Sequence, residues 1–201
     1  MTQIKLCGMT RAIDIQTVNA LKPEYIGFVF WSKSKRSISA EEAAKLKAIL
    51  DPGISAVGVF VDECPEKVAE LLNQGIIDIA QLHGNEDEAC ISRLRTMTDK
   101  PLIRAFRIRE PKDLEAAAGC SAEYILLDAG KGDGITFDWG LLRDFSRPYF
   151  LAGGLNPENV GGAVRRLHPY AVDVSSGIET SGLKDAEKMA AFVEAVRKEN
   201  L

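Results

Sequence analysis

Histidine is scarce in this chain: His83 and His168 are the only two among 201 residues. A site that grips a divalent metal through several imidazoles and carboxylates, as a metal-dependent epimerase would need, has little to draw on. Cysteine is almost as sparse. Cys7, Cys64, Cys90 and Cys120 stand far apart and form no C-x-x-C pair, which argues against a disulfide framework or a zinc site and for reduced thiols in a cytoplasm. No apolar run is long enough to cross a bilayer. The opening residues MTQIKLCGMTR lack the apolar stretch of a secretion signal, and both absences point to a cytoplasmic protein. Nor is there an excess of positive charge. With 25 Lys and Arg against 29 Asp and Glu the net charge is -4, so neither nucleic acid nor a membrane is an expected partner, although a local anion site stays open.

What the chain does have is a regular alternation. Hydrophobic residues make up 46% and charged residues 27%, the balance of a soluble globular domain. Short apolar runs at Ile4 to Cys7, Tyr25 to Phe30, Ala56 to Val61, Ile77 to Leu82, Leu102 to Phe106, Tyr124 to Asp128, Tyr149 to Ala152 and Ala171 to Val174 are bounded by polar, Gly or Pro residues, as strands buried on both faces are. Helix starts fall between them. Ser39-Ala-Glu-Glu42 has the form of a capping box, and Asn85 with Glu88 repeats its spacing. Pro65 and Pro111 suit the first helical turn, and Asn156-Pro157-Glu158 reads as a further start. Met189, Phe192, Val193 and Val196 share one helical face. Only Trp139 to Phe145 remains for the sixth helix, which predicts a short element there.

Eight strand–helix units of about 25 residues each predict an α/β fold, a (β/α)8 TIM barrel of eight parallel strands. Residues 1–201 then form a single domain, near the lower size limit of that fold. An open doubly wound sheet would place G-x-G-x-x-G after the first strand, and Cys7-Gly8-Met9-Thr10 does not match it.

In such barrels the active site gathers at the C-terminal ends of the strands. Cys7 closes the first strand and Asp128 the sixth; His83 follows the fourth, Arg36 lies in the loop after the second, and Asp173 sits within the eighth. The loops after the seventh and eighth strands, Ala152-Gly153-Gly154-Leu155 and Ser175-Ser176-Gly177, have the glycines that let backbone N–H groups approach an anion, at the place where this fold commonly holds phosphate. Each candidate also has a plain structural reading. The glycines serve tight turns. A free cysteine is commonly an inert core residue, and Cys7 acts as a base only if its pKa falls below about 8.5, with Lys5 on the same side of the strand to help. Asp128 is either a paired structural charge or an acid whose pKa burial raises. Arg36, in Lys33-Ser-Lys-Arg36, is either part of a solvated basic loop or a planar fork for a carboxylate or phosphate. His83 alone reads as a loop histidine.

Longer stretches settle more. Lys5-Leu-Cys-Gly-Met-Thr10, Gly27-Phe-Val-Phe-Trp-Ser-Lys-Ser-Lys-Arg36, Val57-Gly-Val-Phe-Val61, Gln81-Leu-His-Gly84, Leu126-Leu-Asp128, Thr136-Phe-Asp-Trp139, Ala152-Gly-Gly-Leu-Asn-Pro-Glu-Asn-Val160 and Val172-Asp-Val-Ser-Ser-Gly-Ile-Glu179 span nearly the whole chain. Together they resemble the phosphoribosylanthranilate isomerase family of tryptophan biosynthesis. The resemblance implies a small-molecule phosphosugar–anthranilate substrate, rearranged from N-(5-phosphoribosyl)anthranilate to an open-chain 1-deoxyribulose phosphate. No metal or redox cofactor is implied, because the substrate's own nitrogen serves as the electron sink. The resemblance further implies Cys7 as general base and Asp128 as general acid, Arg36 at the anthranilate carboxylate, and His83 lining the pocket with Asp173 near the sugar phosphate. Gly153, Gly154, Ser175 and Ser176 would hold the phosphate. A monomer and a homodimer fit equally well.

Two stretches depart from the family pattern. The loop after Asp128 has Asp133 where a small hydroxyl residue is usual, which puts loop closure over the substrate in question. Thr180-Ser-Gly-Leu-Lys184 replaces the commoner Pro-Gly-x-Lys, in a segment read as lying beyond the phosphate contacts. Two rival readings stand beside this one. Another phosphosugar isomerase or epimerase of the same fold would show more metal-ligating histidine, or an aspartate in place of Cys7. A silent ligand-binding or assembly subunit would have lost Cys7 or Asp128, and both are present.

Overall fold

Eight short strands, each paired in parallel with its sequence neighbours, close into a ring when the eighth returns to the first. This computed structural model describes residues 1–128, 139–142 and 145–200. In chain order the elements are β1 (Gln3–Cys7), α1 (Ala12–Leu21), β2 (Tyr25–Val29), α2 (Ala40–Ala48), β3 (Ser55–Phe60), α3 (Pro65–Asn73), β4 (Ile79–Leu82) and α4 (Glu88–Arg95). They continue with β5 (Leu102–Arg107), α5 (Pro111–Gly119), β6 (Tyr124–Asp128), a 3-10 turn (Trp139–Leu142), β7 (Tyr149–Ala152), α6 (Val160–Leu167) and β8 (Ala171–Val174). A second 3-10 turn (Ser176–Ile178), a small hairpin of β9 (Glu179–Thr180) and β10 (Leu183–Lys184), and α7 (Ala186–Lys198) complete the order. The predicted (β/α)8 barrel is the observed architecture.

Local chemistry explains most boundaries, including those that differ from expectation. Ser39 accepts the Glu42 amide at 3.2 Å while Glu42 accepts the Ser39 amide at 3.0 Å, the predicted reciprocal cap. Pro65 and Pro111 open their helices as expected. Asn85 does not cap α4. Asp87, directly before the helix, accepts the Cys90 amide at 2.9 Å, while the Asn85 amide donates to Asp62 across the loop at 2.6 Å. Asn156 caps a turn rather than the helix. Its side-chain oxygen accepts the amides of Glu158 and Asn159 at 3.0 and 2.9 Å, and α6 begins only at Val160. β4 begins at Ile79 rather than Ile77 because the Ile76 and Ile77 amides turn back to Leu71 at the end of α3. The short sixth element is the 3-10 turn at Trp139–Leu142; positions 143 and 144 of the predicted stretch lie outside the described residues.

Side chains alternate along each strand, so the barrel has an outer and an inner core. Ile4, Leu6, Phe28 and Phe60 pack outward against the helices with Met189, Phe192, Val193 and Val196 of α7, the predicted helical face. Tyr25, Val57, Ile79, Ile103, Leu126 and Phe150 fill the interior. At the N-terminal end the ring of Phe150 lies 5.3 Å from Tyr25, 5.8 Å from Tyr124 and 5.6 Å from Tyr170, centroid to centroid. This aromatic plug closes the floor, so inward-facing polar groups gather toward the C-terminal mouth.

Candidate active site

The alternation that points Ile4 and Leu6 outward points Lys5 and Cys7 inward. Lys5 is fully buried, and its ammonium lies 3.0 Å from Asp173, its register partner on β8. Burial opposes the charge on Lys5, but Asp173 and Cys7 outweigh it and hold its pKa above the ordinary lysine value. Asp173 is therefore half of a buried ion pair within the barrel. Cys7 sits one residue pair higher, opposite Gly27 of β2. A Cβ at Gly27 would lie 2.5 Å from the Cys7 sulfur, so the thiol fits only because its neighbour has no side chain.

The expectation that a neighbouring cation lowers the Cys7 pKa is only half met. Burial pushes the thiol up; Lys5 pulls it down, Asp173 adds to the rise, and Lys184 pulls down again. Burial wins, and the thiol stands above its ordinary value. The Lys5 effect has the expected sign. It falls short because burial is the larger effect, with Asp173 adding to the rise.

Across the mouth, Asp128 ends β6, beside Ala152 of β7 in register. Its Oδ2 lies 3.6 Å from His83 Nε2. His83 follows β4, and its Nδ1 is 2.8 Å from Nε2 of Gln81, two residues earlier on the same inward face and 1% exposed. With Gln81 donating to Nδ1, the neutral imidazole carries its proton on Nε2, toward Asp128. His83 is thus oriented rather than loose.

Arg36 is not a solvated loop residue. Its Nε and Nη2 donate to the two oxygens of Glu179 at 2.6 and 2.7 Å, and those bonds raise its pKa. Gly8, at φ +86°, makes room for it: a Cβ there would meet the Arg36 Cδ at 2.6 Å. Glu179 also accepts from Lys184 Nζ at 2.6 Å, and the same ammonium donates to the Ser175 carbonyl at 2.9 Å. The segment around Lys184, read from sequence as lying beyond the site, therefore folds back into it. The sequence signal for this return is Ser181-Gly182. With φ of 53° and 80° the pair forms the two-residue turn that makes Glu179 and Lys184 cross-strand partners. Burial lowers the Lys184 pKa against the pull of Glu179.

The two glycine-bearing loops meet. Gly153 and Gly154 have φ of 97° and 65°, backbone that side chains rarely tolerate. A Cβ at Gly177 would strike the Leu155 carbonyl, so the loop after β8 rests on the loop after β7 because residue 177 is glycine. Ser175 Oγ donates to the Cys7 carbonyl at 3.1 Å, tying the second loop to the end of β1. Ser176 is exposed at the start of its short turn. Cys7, Arg36, Asp173 and Ser175 are thus joined through Lys5, Lys184 and Glu179, while His83 and Asp128 form a separate pair. Asp133 lies outside the described residues. Among the described residues no group of three or more His, Cys, Asp or Glu is placed to hold a metal ion.

The chain as a whole is similar to known proteins. The family model for N-(5'phosphoribosyl)anthranilate (PRA) isomerase matches residues 4–195. An N-(5'-phosphoribosyl)anthranilate isomerase of Endomicrobium trichonymphae is 43% identical over 202 residues, covering 98% of this chain and 99% of the relative. A phosphoribosyl anthranilate isomerase structure from Thermotoga maritima superposes with a TM-score of 0.89 at 36% identity, over 98% of this chain and all of that one. A further phosphoribosyl anthranilate isomerase structure, in complex with reduced 1-(o-carboxyphenylamino)-1-deoxyribulose 5-phosphate, gives 0.88 at 37% identity over 98% of this chain and all of the other.

Proposed function

The chain belongs to the N-(5'-phosphoribosyl)anthranilate isomerase family, and from that premise we propose that Cys7 is its general base and Asp128 its general acid. The reaction is the Amadori rearrangement of N-(5-phosphoribosyl)anthranilate to 1-(2-carboxyphenylamino)-1-deoxyribulose 5-phosphate, an isomerisation of tryptophan biosynthesis. Asp128 protonates the furanose ring oxygen, the C1–O bond breaks, and the nitrogen lone pair closes a cationic C1=N imine. Cys7 as thiolate then takes the proton from C2. The electron pair moves into an enolamine, which tautomerises to the C2 ketone as C1 gains a proton. One observation carries the assignment: Cys7 and Asp128 close β1 and β6, inward-facing ends of one closed sheet, on either side of its mouth.

The remaining roles follow from chemistry. Arg36 commits Nε and Nη2 to Glu179, and its remaining guanidinium donors take a carboxylate, here that of the anthranilate ring. The phosphate takes the glycine loops, at Gly153, Gly154, Ser175 and Ser176, with Asp173 keeping Lys5 in place below. His83 orients Asp128. Before substrate binds, burial keeps the thiol above its ordinary pKa, and the substrate's imine cation supplies further positive charge as the proton is taken. We place the enzyme in the cytoplasm, as one barrel domain over residues 1–201. Loss of substrate fluorescence tests the catalytic pair. Cys7→Ser and Asp128→Asn should each bind substrate yet lose about 10²–10⁴-fold in turnover. Near-native turnover in either variant removes that residue from the mechanism.

A further inference from the structure

We propose that Lys184 is a positioning residue for Cys7: its ammonium, fixed by Ser175 and Glu179, supplies part of the positive charge that sustains the Cys7 thiolate. The proposal rests on Cys7 being the base. The charged groups that gather beneath and around the thiol come from every element packed there. β1 brings Lys5, β8 brings Asp173, the loop after β2 brings Arg36, and the β9–β10 hairpin brings Glu179 and Lys184. Val29 and Val59, which touch Cys7 from β2 and β3, bring none.

Three cations face two carboxylates, an excess of one positive charge, which matches one thiolate. The excess does not reside on Lys5, whose ammonium is matched by Asp173 at 3.0 Å. Nor does it stay on Arg36, which commits two donors to both oxygens of Glu179 and meets a carboxylate of the substrate besides. Lys184 shares only Glu179 Oε1; its other partners are the neutral carbonyl and hydroxyl of Ser175, at 2.9 and 3.3 Å. Its side chain is 2% exposed, so water screens it little. Ser175 in turn donates to the Cys7 carbonyl at 3.1 Å, fixing the ammonium to the end of β1 that carries the thiol. Lys184 also acts on the Cys7 thiol in the lowering sense.

The test reads the thiol directly in the free, full-length protein. Iodoacetamide alkylation of Cys7 is followed by mass spectrometry of its peptide across pH, which separates it from the exposed Cys64. Lys184→Gln should raise the alkylation midpoint by about one pH unit or more, slowing the reaction roughly tenfold on the acid side. Glu179→Gln removes the counter-charge and should move the midpoint down. Lys184→Arg should restore it toward the native value. An unchanged midpoint in Lys184→Gln, or shifts of the same sign in Lys184→Gln and Glu179→Gln, overturns the proposal. If Lys184→Gln does not fold, the sign of the Glu179→Gln shift decides alone: downward supports the proposal, unchanged or upward ends it. Because alkylation needs no substrate, it stands apart from the turnover of Cys7→Ser, whose retention would end the base assignment and leave the charge claim to be judged on its own.

Discussion

Lys5→Met breaks an ion pair buried within the barrel. Lys5 is wholly buried and Asp173 only 9% exposed, at 3.0 Å. Two unit charges at that distance attract by about 5 kcal/mol at an effective dielectric constant of ~20. Removing one partner of a buried pair typically costs about 3–5 kcal/mol, because the other is left charged and unmatched. The two scales agree, so Lys5→Met should lose about 3–5 kcal/mol in urea denaturation at neutral pH. That corresponds to a Tm lower by roughly 10 °C in a domain of this size. An unmatched buried carboxylate escapes its cost by taking a proton, so the deficit against the native protein should shrink near pH ~4. The double variant Lys5→Met/Asp173→Leu should recover most of the loss, as apolar replacements of buried pairs do. In the native protein the folded pKa of Lys5 is raised. The stability it contributes is therefore fully present below the unfolded lysine value of about 10.4 and is lost as pH rises through the folded value. A Lys5→Met loss below about 1 kcal/mol, or a double variant no more stable than the single, would refute this account of the barrel interior.

Gly27→Ala sets a methyl group 2.5 Å from the Cys7 sulfur. Displacing the base by about 1 Å should cut kcat by on the order of 10²-fold with the thiol still present; a folded variant with native kcat would mean that the position of Cys7 is not critical. Arg36→Ala removes the proposed charge-assisted hydrogen bond to the substrate, worth about 1.5–3 kcal/mol, and should raise KM by about 10- to 100-fold with a smaller change in kcat. Steady-state kinetics that leave both constants unchanged would reduce Arg36 to the partner of Glu179.

The barrel was legible because its signal is redundant. Eight short apolar runs alternate with helical faces, so an error of a residue or two at one end, as at Ile77, changes no strand and no pairing. The placement of the strand-end residues was legible for the same reason: Cys7, Asp128 and Asp173 fall at positions the fold itself dictates. What was not legible depends on competition between near neighbours. Asn85 and Asp87 are both good caps, and the carboxylate adjacent to α4 wins while Asn85 finds Asp62. Lys184 enters the site only because Ser181-Gly182 reverses the chain, which a reading that stopped at the phosphate loop had no cause to follow. Glu179 was in view but without a partner until the hairpin and the loop after β2 met. The ionisation of Cys7 was least legible of all, since it is a balance between burial and charges brought from separate segments.

The same two-residue alternation that builds the barrel also sets what lies beneath the proposed base and acid. Each functional group at a strand end stands directly above the inward residue two positions before it. Cys7 stands on Lys5, and His83 stands on Gln81. Asp128 stands on Leu126, an aliphatic side chain with no exposure. A cation below favours the charged form of a thiol, whereas leucine below brings no charge from that side. On the proposed roles, Lys5 offsets part of what burial costs the Cys7 thiolate, and burial still leaves the thiol above its ordinary pKa. On that assignment the proposed base depends on position 5 as well as on position 7.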